Sequence, residues 1–571
     1  MSAVIEGLLI ILGALGLFLQ AIGRFGDGVQ KRVGEKIRII IEKQSRKPLP
    51  SVLNGIAMAA ALQSNYLTFG TVSSLVNAGL LGLLPALCIM LGVNLGLTVT
   101  AQLMSLNIGV FLFVLLFCGY LLNFYGKKRG WHYLGQILFN LGLMYLSFYI
   151  FHYAFQTLGM QSLAVDALRG IILNPWLCFF VGLGLAAIFR SSNTVVVLTQ
   201  SMVGLQVALN PVTFLSGAFA IVIGANIGTT FINMLVGMDR QPIVKKANWM
   251  HFSFNLITGL IWLTFLPVAF YMVSNFSVQL YQIFQKFFAV VFNIKIPNVI
   301  PTERWFNIWE IAMANTIYNL SVIFIWFPIT LLASKLGVAF FSEKSKIGTN
   351  GTTYLDRRAL QTPALALMLA SHEIKQMANI TREMLKSARL AFSKGQIHLL
   401  DGIGRDEEIV DEMQEQITFY LSALLSQNSL TEEQSHRLAG LLHIVSDIER
   451  VGDHAYNVAN LAEKKYLEKL QFSELAINEI ELMFGKAMDF YNKACMAFYE
   501  DKSELSKQLL NREENIDKLE EELRQNHIHR LNQGKCWPSS GVVYVEMLSN
   551  LQRIAAHAAN IASAILEEGE A

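Results

Sequence analysis

Acidic side chains are almost absent from the first half of this chain, and that absence limits what it can fold into. Of 43 Asp and Glu residues, only Glu6, Asp27, Glu35, Glu42, Asp166 and Asp239 fall within residues 1–300, and 37 fall in the remaining 271. Lys and Arg divide 18 to 27 across the same boundary, so the first part carries +12 and the second −10. A carboxylate taken into hydrocarbon without a partner is costly. The first part therefore reads as membrane-embedded and the second as water-soluble.

Apolar runs approaching the roughly 20 residues that cross a bilayer occur near 4–22, 71–91, 107–124, 133–155, 174–189, 212–237, 252–274 and 306–334. The first run has no basic flank before it and no small-residue cleavage site, which predicts a retained transmembrane helix rather than a removed signal. Residues 24–47 hold eight Lys or Arg against three acids, with Val29, Val33, Ile37, Ile40 and Ile41 at helical spacing. That pattern predicts either an amphipathic helix on the cytoplasmic face or a basic loop. The basic clusters 127–129 and 240–246 then face the same side. The five cysteines have no CxxC spacing and read as small hydrophobes, not as a disulfide framework.

An internal repeat stands out. Ala61-Leu62-Gln63-Ser64-Asn65 is followed by Gly92-Val93-Asn94-Leu95-Gly96-Leu97-Thr98, and Phe189-Arg190-Ser191-Ser192-Asn193-Thr194 by Gly224-Ala225-Asn226-Ile227-Gly228-Thr229-Thr230. Gln63 and Arg190 are 127 positions apart, Asn94 and Asn226 are 132 apart, so the second copy holds about five extra residues. The stretches 52–70 and 182–200 carry their Ser, Thr, Asn and Gln in mid-segment, which predicts broken or re-entrant helices lining a cavity. Amides and hydroxyls there offer oxygens to a hard cation and donors to an oxyanion. Small and hydroxylated residues also serve helix packing in membranes. Arg190 is the charge inside an otherwise apolar span. It can pair with a phosphate in a fork, replace a coupling cation, or snorkel to the interface.

Residues 342–354 are polar and rich in Gly and Thr, the composition of a linker, assigned to 341–358. Beyond it, helical patterns near 360–397, 401–427, 431–465, 472–501, 503–530 and 540–568 predict two tandem three-helix bundles. Ser429-Leu430-Thr431-Glu432-Glu433 reads as a capping-box start. The carboxylates Glu407 and Asp411, and again Glu449 and Asp453, lie four apart on one helix face. Two such faces can enclose a cation with oxygen ligands. Ser446–His454 aligns with Ser549–His557, where Asn550, Gln552 and Ala556 replace Asp447, Glu449 and Asp453, and only Glu513–Asp517 survives of the acidic pairs. A metal cluster is therefore expected in the first bundle alone.

These motifs resemble the type II sodium/phosphate cotransporter family, over about the first 335 residues. The resemblance rests on the Gln-Ser-Ser pattern followed by Gly-Ala-Asn-Ile-Gly-Thr-Thr, on Ala247, His251, Phe254 and Asn255, and on the run Ala314-Asn315 to Asn319. The Gln-Ser-Ser pattern is altered to Gln63-Ser64-Asn65 in one copy and Arg190-Ser191-Ser192 in the other. The soluble part resembles the PhoU-like regulatory domain. The fold implied is all-α: a polytopic membrane domain over 1–340 with repeats near 50–105 and 180–235, then a cytoplasmic tandem of three-helix bundles over 359–571. The function implied is secondary transport of inorganic phosphate or a similar anion, uptake or efflux, with sodium as the implied coupling ion. The alternative is a membrane-anchored regulator without transport. The substrate and ion residues so implied are Gln63, Ser64, Asn65, Thr68, Asn94, Arg190, Ser191, Ser192, Asn193, Thr194, Asn226, Thr229 and Thr230. Glu407, Asp411, Glu449 and Asp453 would hold iron, zinc, manganese or magnesium. The setting implied is the inner membrane, with a homodimer as an open state. Catalytic motifs (P-loop, GxSxG, HExxH) are absent from the sequence, so neither an enzyme nor an ATP-driven pump is expected. A net-acidic soluble part argues against nucleic acid as a partner.

Overall fold

The apolar N-terminal run and the basic stretch after it form one helix, α1 (Ser2–Gln44). At about 1.5 Å per residue its 43 residues reach roughly 65 Å, twice the hydrocarbon thickness. The expected separate surface helix is thus the continuation of the first span. The sequence has no proline before Pro48 and the helix runs unbroken to Gln44, so nothing stops it where the charges begin.

This computed structural model describes residues 2–44, 47–78, 80–106, 108–126, 129–160, 162–205, 211–238, 242–292, 303–336, 354–427, 430–500 and 503–570. Much of the expected linker, 341–353, lies outside the described residues. The chain divides into two units, Met1–Ser345 and Lys346–Ala571.

In the first unit α2 (Pro48–Leu62), α3 (Asn65–Asn77), α4 (Leu83–Leu97) and α5 (Val99–Met104) follow α1. The apolar run 71–91 is not one span, because the chain leaves the helix at Ala78 and restarts at Leu83 after an extended Gly82. Next come α6 (Phe111–Tyr125), α7 (Arg129–Gly159), α8 (Ser162–Ile172), α9 (Pro175–Phe189), α10 (Ser192–Ser201) and α11 (Pro211–Val236). Then α12 (Pro242–Thr264), α13 (Leu266–Phe292) and α14 (Glu303–Lys335) complete the unit. The run 252–274 is also not straight: α12 and α13 bend by 93° at their junction. Among the described residues five helices are long and apolar enough to cross a membrane, in α1, α4–α5, α7, α11 and α14, or six with the bent pair. At 15 residues each, α2 and α9 reach only about 22 Å.

The repeat is structural as well as sequential. α2 packs along α4 in the way α9 packs along α11. A methyl group added at Gly92 would lie 2.0 Å from the Val52 carbonyl oxygen, and one added at Gly224 would lie 2.0 Å from that of Phe179. Val52 and Phe179 are themselves repeat equivalents. Only glycine lets the two backbones approach so closely.

The second unit holds α15 (Pro363–Lys394), α16 (Leu400–Leu425), α17 (Glu432–Leu467), α18 (Glu474–Glu500), α19 (Ser503–Asn532) and α20 (Pro538–Glu570). They form two three-helix bundles around one continuous apolar core, with α17 and α20 side by side. Thr431 caps α17 in a capping box whose partner is Gln434, three residues on, rather than one of the two intervening glutamates.

Candidate functional site: two helix breaks and an acidic patch

Both polar stretches break their helix by the same device. Gln63, ending α2, has φ 50°, and Arg190, ending α9, has φ 52°. With Lys469 they are the positive-φ residues other than glycine among the described residues. A left-handed residue ends a helix by turning its amide back, costing on the order of 1 kcal/mol where a side chain is present. The next residue then starts a new helix. Ser64 Oγ accepts from the Leu67 amide at 3.3 Å, and Ser191 Oγ accepts from the Thr194 amide at 3.2 Å and from its hydroxyl at 3.0 Å.

The two breaks meet through a residue the sequence did not single out. Asn193 Nδ2 donates to Thr100 Oγ1 at 3.2 Å, and that hydroxyl donates in turn to Gln63 Oε1. Thr100, on α5, thereby ties the first break to the start of α10. Gln63 Nε2 donates to the Ala60 carbonyl at 2.7 Å. Nearby, Gln200 Nε2 bridges the carbonyls of Ala101 and Ile308, each at 3.1 Å. Thr100 has no polar counterpart at its repeat position, which is why no repeat signal marked it.

The two asparagines of the glycine-rich motifs lead to a second network. Asn94 Nδ2 donates to Asn255 Oδ1 at 3.1 Å, and Asn226 Nδ2 donates to Asn315 Oδ1 at 2.9 Å. Asn319 Nδ2 reaches both Asn226 Oδ1 and Asn315 Oδ1, at 3.2 and 3.1 Å. Each repeat thus pins its motif helix to a helix from the end of the unit, α12 or α14.

The predicted residues differ in what they leave free. Gln63, Asn65, Thr68, Asn94, Ser192, Asn193, Thr194, Asn226, Thr229 and Thr230 are buried, while Ser64 and Ser191 are partly so. The hydroxyls of Thr68, Thr229 and Thr230 donate to carbonyls of their own helices. Among the described residues, buried acceptors without a donor remain at Asn65 Oδ1, Gln200 Oε1 and Asn319 Oδ1. Oxygens of that kind suit a hard cation or the hydroxyl of a protonated phosphate. Arg190 is exposed, not packed among the others. Its equivalent Gln63 is buried, so the two breaks share a backbone and present different chemistry.

In the second unit, oxygens of Glu407, Asp411 and Asp453 lie within 4.8 Å of one another. Burial first, then the neighbouring carboxylates, push the pKa values of Glu407 and Asp411 up from their ordinary values. Glu449 is not among those three: it lies beside Arg450 at 3.6 Å, the same guanidinium that reaches Asp453 at 3.4 Å, and burial followed by the Asp453 charge pushes its pKa up from the ordinary value. Three clustered carboxylates fit a hard divalent cation, which would supply the charge they lack. In the second bundle Gln552 Nε2 donates to Asp517 Oδ1 at 2.8 Å, an amide where the first bundle has a carboxylate. Between the bundles His454 meets Asn550 Oδ1 and His557 meets Asp447 Oδ1, both at 2.9 Å. The equivalent positions of α17 and α20 therefore pair reciprocally across a pseudo-twofold.

Comparison with known proteins divides the chain at the same place. The Na+/Pi-cotransporter family profile matches residues 17–153 and 148–296. The PhoU domain profile matches 374–462 and 480–565. The chain is 21% identical to YjbB of Salmonella typhimurium, described as a candidate inorganic phosphate export protein, over 98% of each chain. YjbB of Escherichia coli K12 is 22% identical over the same share. PhoU homolog 1 of Thermotoga maritima, a phosphate-specific transport system accessory protein, is 23% identical over 35% of this chain and 85% of its own.

Proposed function

We propose, from the premise that this chain belongs to the Na+/Pi-cotransporter family and carries paired PhoU domains, that it is a secondary transporter of inorganic phosphate regulated by its C-terminal unit. The relatives named for phosphate export share nearly its whole length, which favours efflux as the direction. The observation that carries the reading is the junction of the two helix breaks through Gln63, Thr100 and Asn193. Duplicated breaks that meet between repeats are where carriers of this kind bind substrate and rock.

Arg190 is the residue we assign to the phosphate charge. Its guanidinium, open at the second break, would pair with the anion in a fork. A fixed cation there also replaces what a bound sodium ion contributes, so flux should persist without sodium. The orphaned oxygens of Asn65 and Gln200 would accept from phosphate hydroxyl. The basic end of α1 supports the cytoplasmic side of the inner membrane for that end by the positive-inside rule, and we assign the C-terminal unit to the same side. Glu407, Asp411 and Asp453 would hold a divalent metal there. Neither transport nor metal binding requires covalent chemistry.

The test is phosphate flux in proteoliposomes, with and without a sodium gradient, for the native protein and Arg190→Gln. Loss of one charge-assisted pair, about 1.5–3 kcal/mol, should lower flux at limiting phosphate roughly 10- to 100-fold. Native flux that requires sodium would refute the role given to Arg190. No native flux under any gradient would leave a membrane-anchored phosphate sensor.

A further inference from the structure

We propose that Glu310 carries a proton that crosses with each transport cycle, making this a proton-linked phosphate carrier; the inference rests on the transport reading above. Glu310 lies on α14 and is 3% exposed. No other carboxylate of the membrane unit is buried among the described residues. An unpaired carboxylate in that setting must be neutralised, and intramembrane acids commonly mark ion pathways.

Nothing described nearby supplies the neutralising charge. Ser274 Oγ donates to Glu310 Oε1 at 2.7 Å, and no ion pair to Glu310 occurs among the described residues. Of the helices packed on α14, α4, α5, α10 and α11 contain no charged residue. On α12, Lys245 and Lys246 belong to the first turns, and His251 stacks on Phe69 with ring centroids 4.8 Å apart. The side chains of Lys286 on α13 and of Glu303 and Arg304 on α14 lie outside the described residues. A hard divalent cation takes about six oxygens, and the described partners offer one carboxylate and hydroxyls. A proton needs only the carboxylate.

Place and surroundings supply the rest. Two residues before Glu310 on α14, the Ile308 carbonyl accepts from Gln200, whose amide also bonds Ala101 beside Thr100. Glu310 is therefore less than a helical turn from the group that ties α10 to the junction of the two breaks. Its hydrogen-bond partner belongs to α13, beyond the 93° bend. One turn further on α13, Ser277 Oγ is fully buried and has no partner among the described residues, while its carbonyl accepts from Trp309 Nε1 at 3.3 Å. Two hydroxyls stand at a three-residue spacing on one face of α13, the first of them bonded to Glu310, and there the proposal puts the start of a proton path. In each cycle water on one side protonates a Glu310 oxygen, and water on the other side takes the proton back. No bond to carbon or phosphorus changes.

The experiment compares native protein, Glu310→Gln and Glu310→Asp in proteoliposomes, measuring net phosphate flux under a pH gradient and phosphate–phosphate exchange without one. In the native protein the pH gradient should drive net flux. Glu310→Gln should lose about tenfold or more of that flux while exchange persists, and Glu310→Asp should keep both. Pursuit of the pH gradient by Glu310→Gln as well as native would overturn the proposal, as would loss of exchange together with net flux, or native flux driven by sodium and indifferent to pH. Absence of exchange in the native protein would instead remove the transport reading beneath it.

Discussion

At the first helix break Gln63 is buried and hydrogen-bonded to Thr100, whereas at the second Arg190 adopts the same left-handed backbone with its side chain exposed. The two turns agree because a left-handed residue followed by a serine cap is a local solution, set by backbone geometry and one hydroxyl. What the side chain at the turn touches is settled by its neighbours, and these differ: α5 supplies Thr100 to one turn only. The C-terminal unit repeats the lesson. Its two bundles repeat the same sequence pattern, yet among the described residues the three gathered carboxylates belong to the first, and Ala556 stands where Asp453 does. Duplication has kept the frames and let the chemistry become one-sided.

The strongest way to break the equivalence of the frames is at the glycine contacts. Gly92→Val and Gly224→Val should each abolish monodisperse folded protein on size exclusion, since side-chain atoms would meet a backbone carbonyl that cannot move and the overpacking cost should exceed about 3 kcal/mol. Tolerance at one position and not the other would show that the repeats are not packed alike. Next in size is Gln63→Arg, which copies the second turn into the first. There the charge would be buried, so a loss of about 3 kcal/mol in stability is expected, read as a lowered unfolding temperature in detergent. An unchanged temperature would mean the first turn is as open as the second. Smallest is the metal asymmetry. The native chain should bind one equivalent of Mn2+ and gain up to about 2.7 kcal/mol at 100 times its Kd. Asp453→Asn should remove both, and Gln552→Glu should leave the stoichiometry at one. A second equivalent in the native protein would refute the one-sided cluster.

Much of this architecture was legible before any coordinates. Acid exclusion is a property of composition and needs no fold, so it separates an acid-poor first part from an acid-rich second part without any coordinates. The six helices of the C-terminal unit were visible because period and caps are short-range signals. The straight spans expected over 71–91 and 252–274 were not found, because hydropathy alone does not sense a bend between two apolar helices. The pairs that make the site join residues 37, 93 and 161 positions apart. Glu310 was passed over inside an apolar run.

The sequence by itself determined that there are two repeats, where their helices break, and which residue types stand at the breaks. Only the tertiary structure decided that Gln63 is enclosed and Arg190 open, that Thr100 joins the breaks, that Glu407, Asp411 and Asp453 gather their oxygens within 4.8 Å of one another, and that Glu310 is buried beside Ser274. The reason is physical: turns and caps are governed by a few neighbouring residues, whereas burial and side-chain pairing depend on the rotation and register of packed helices far apart in the chain.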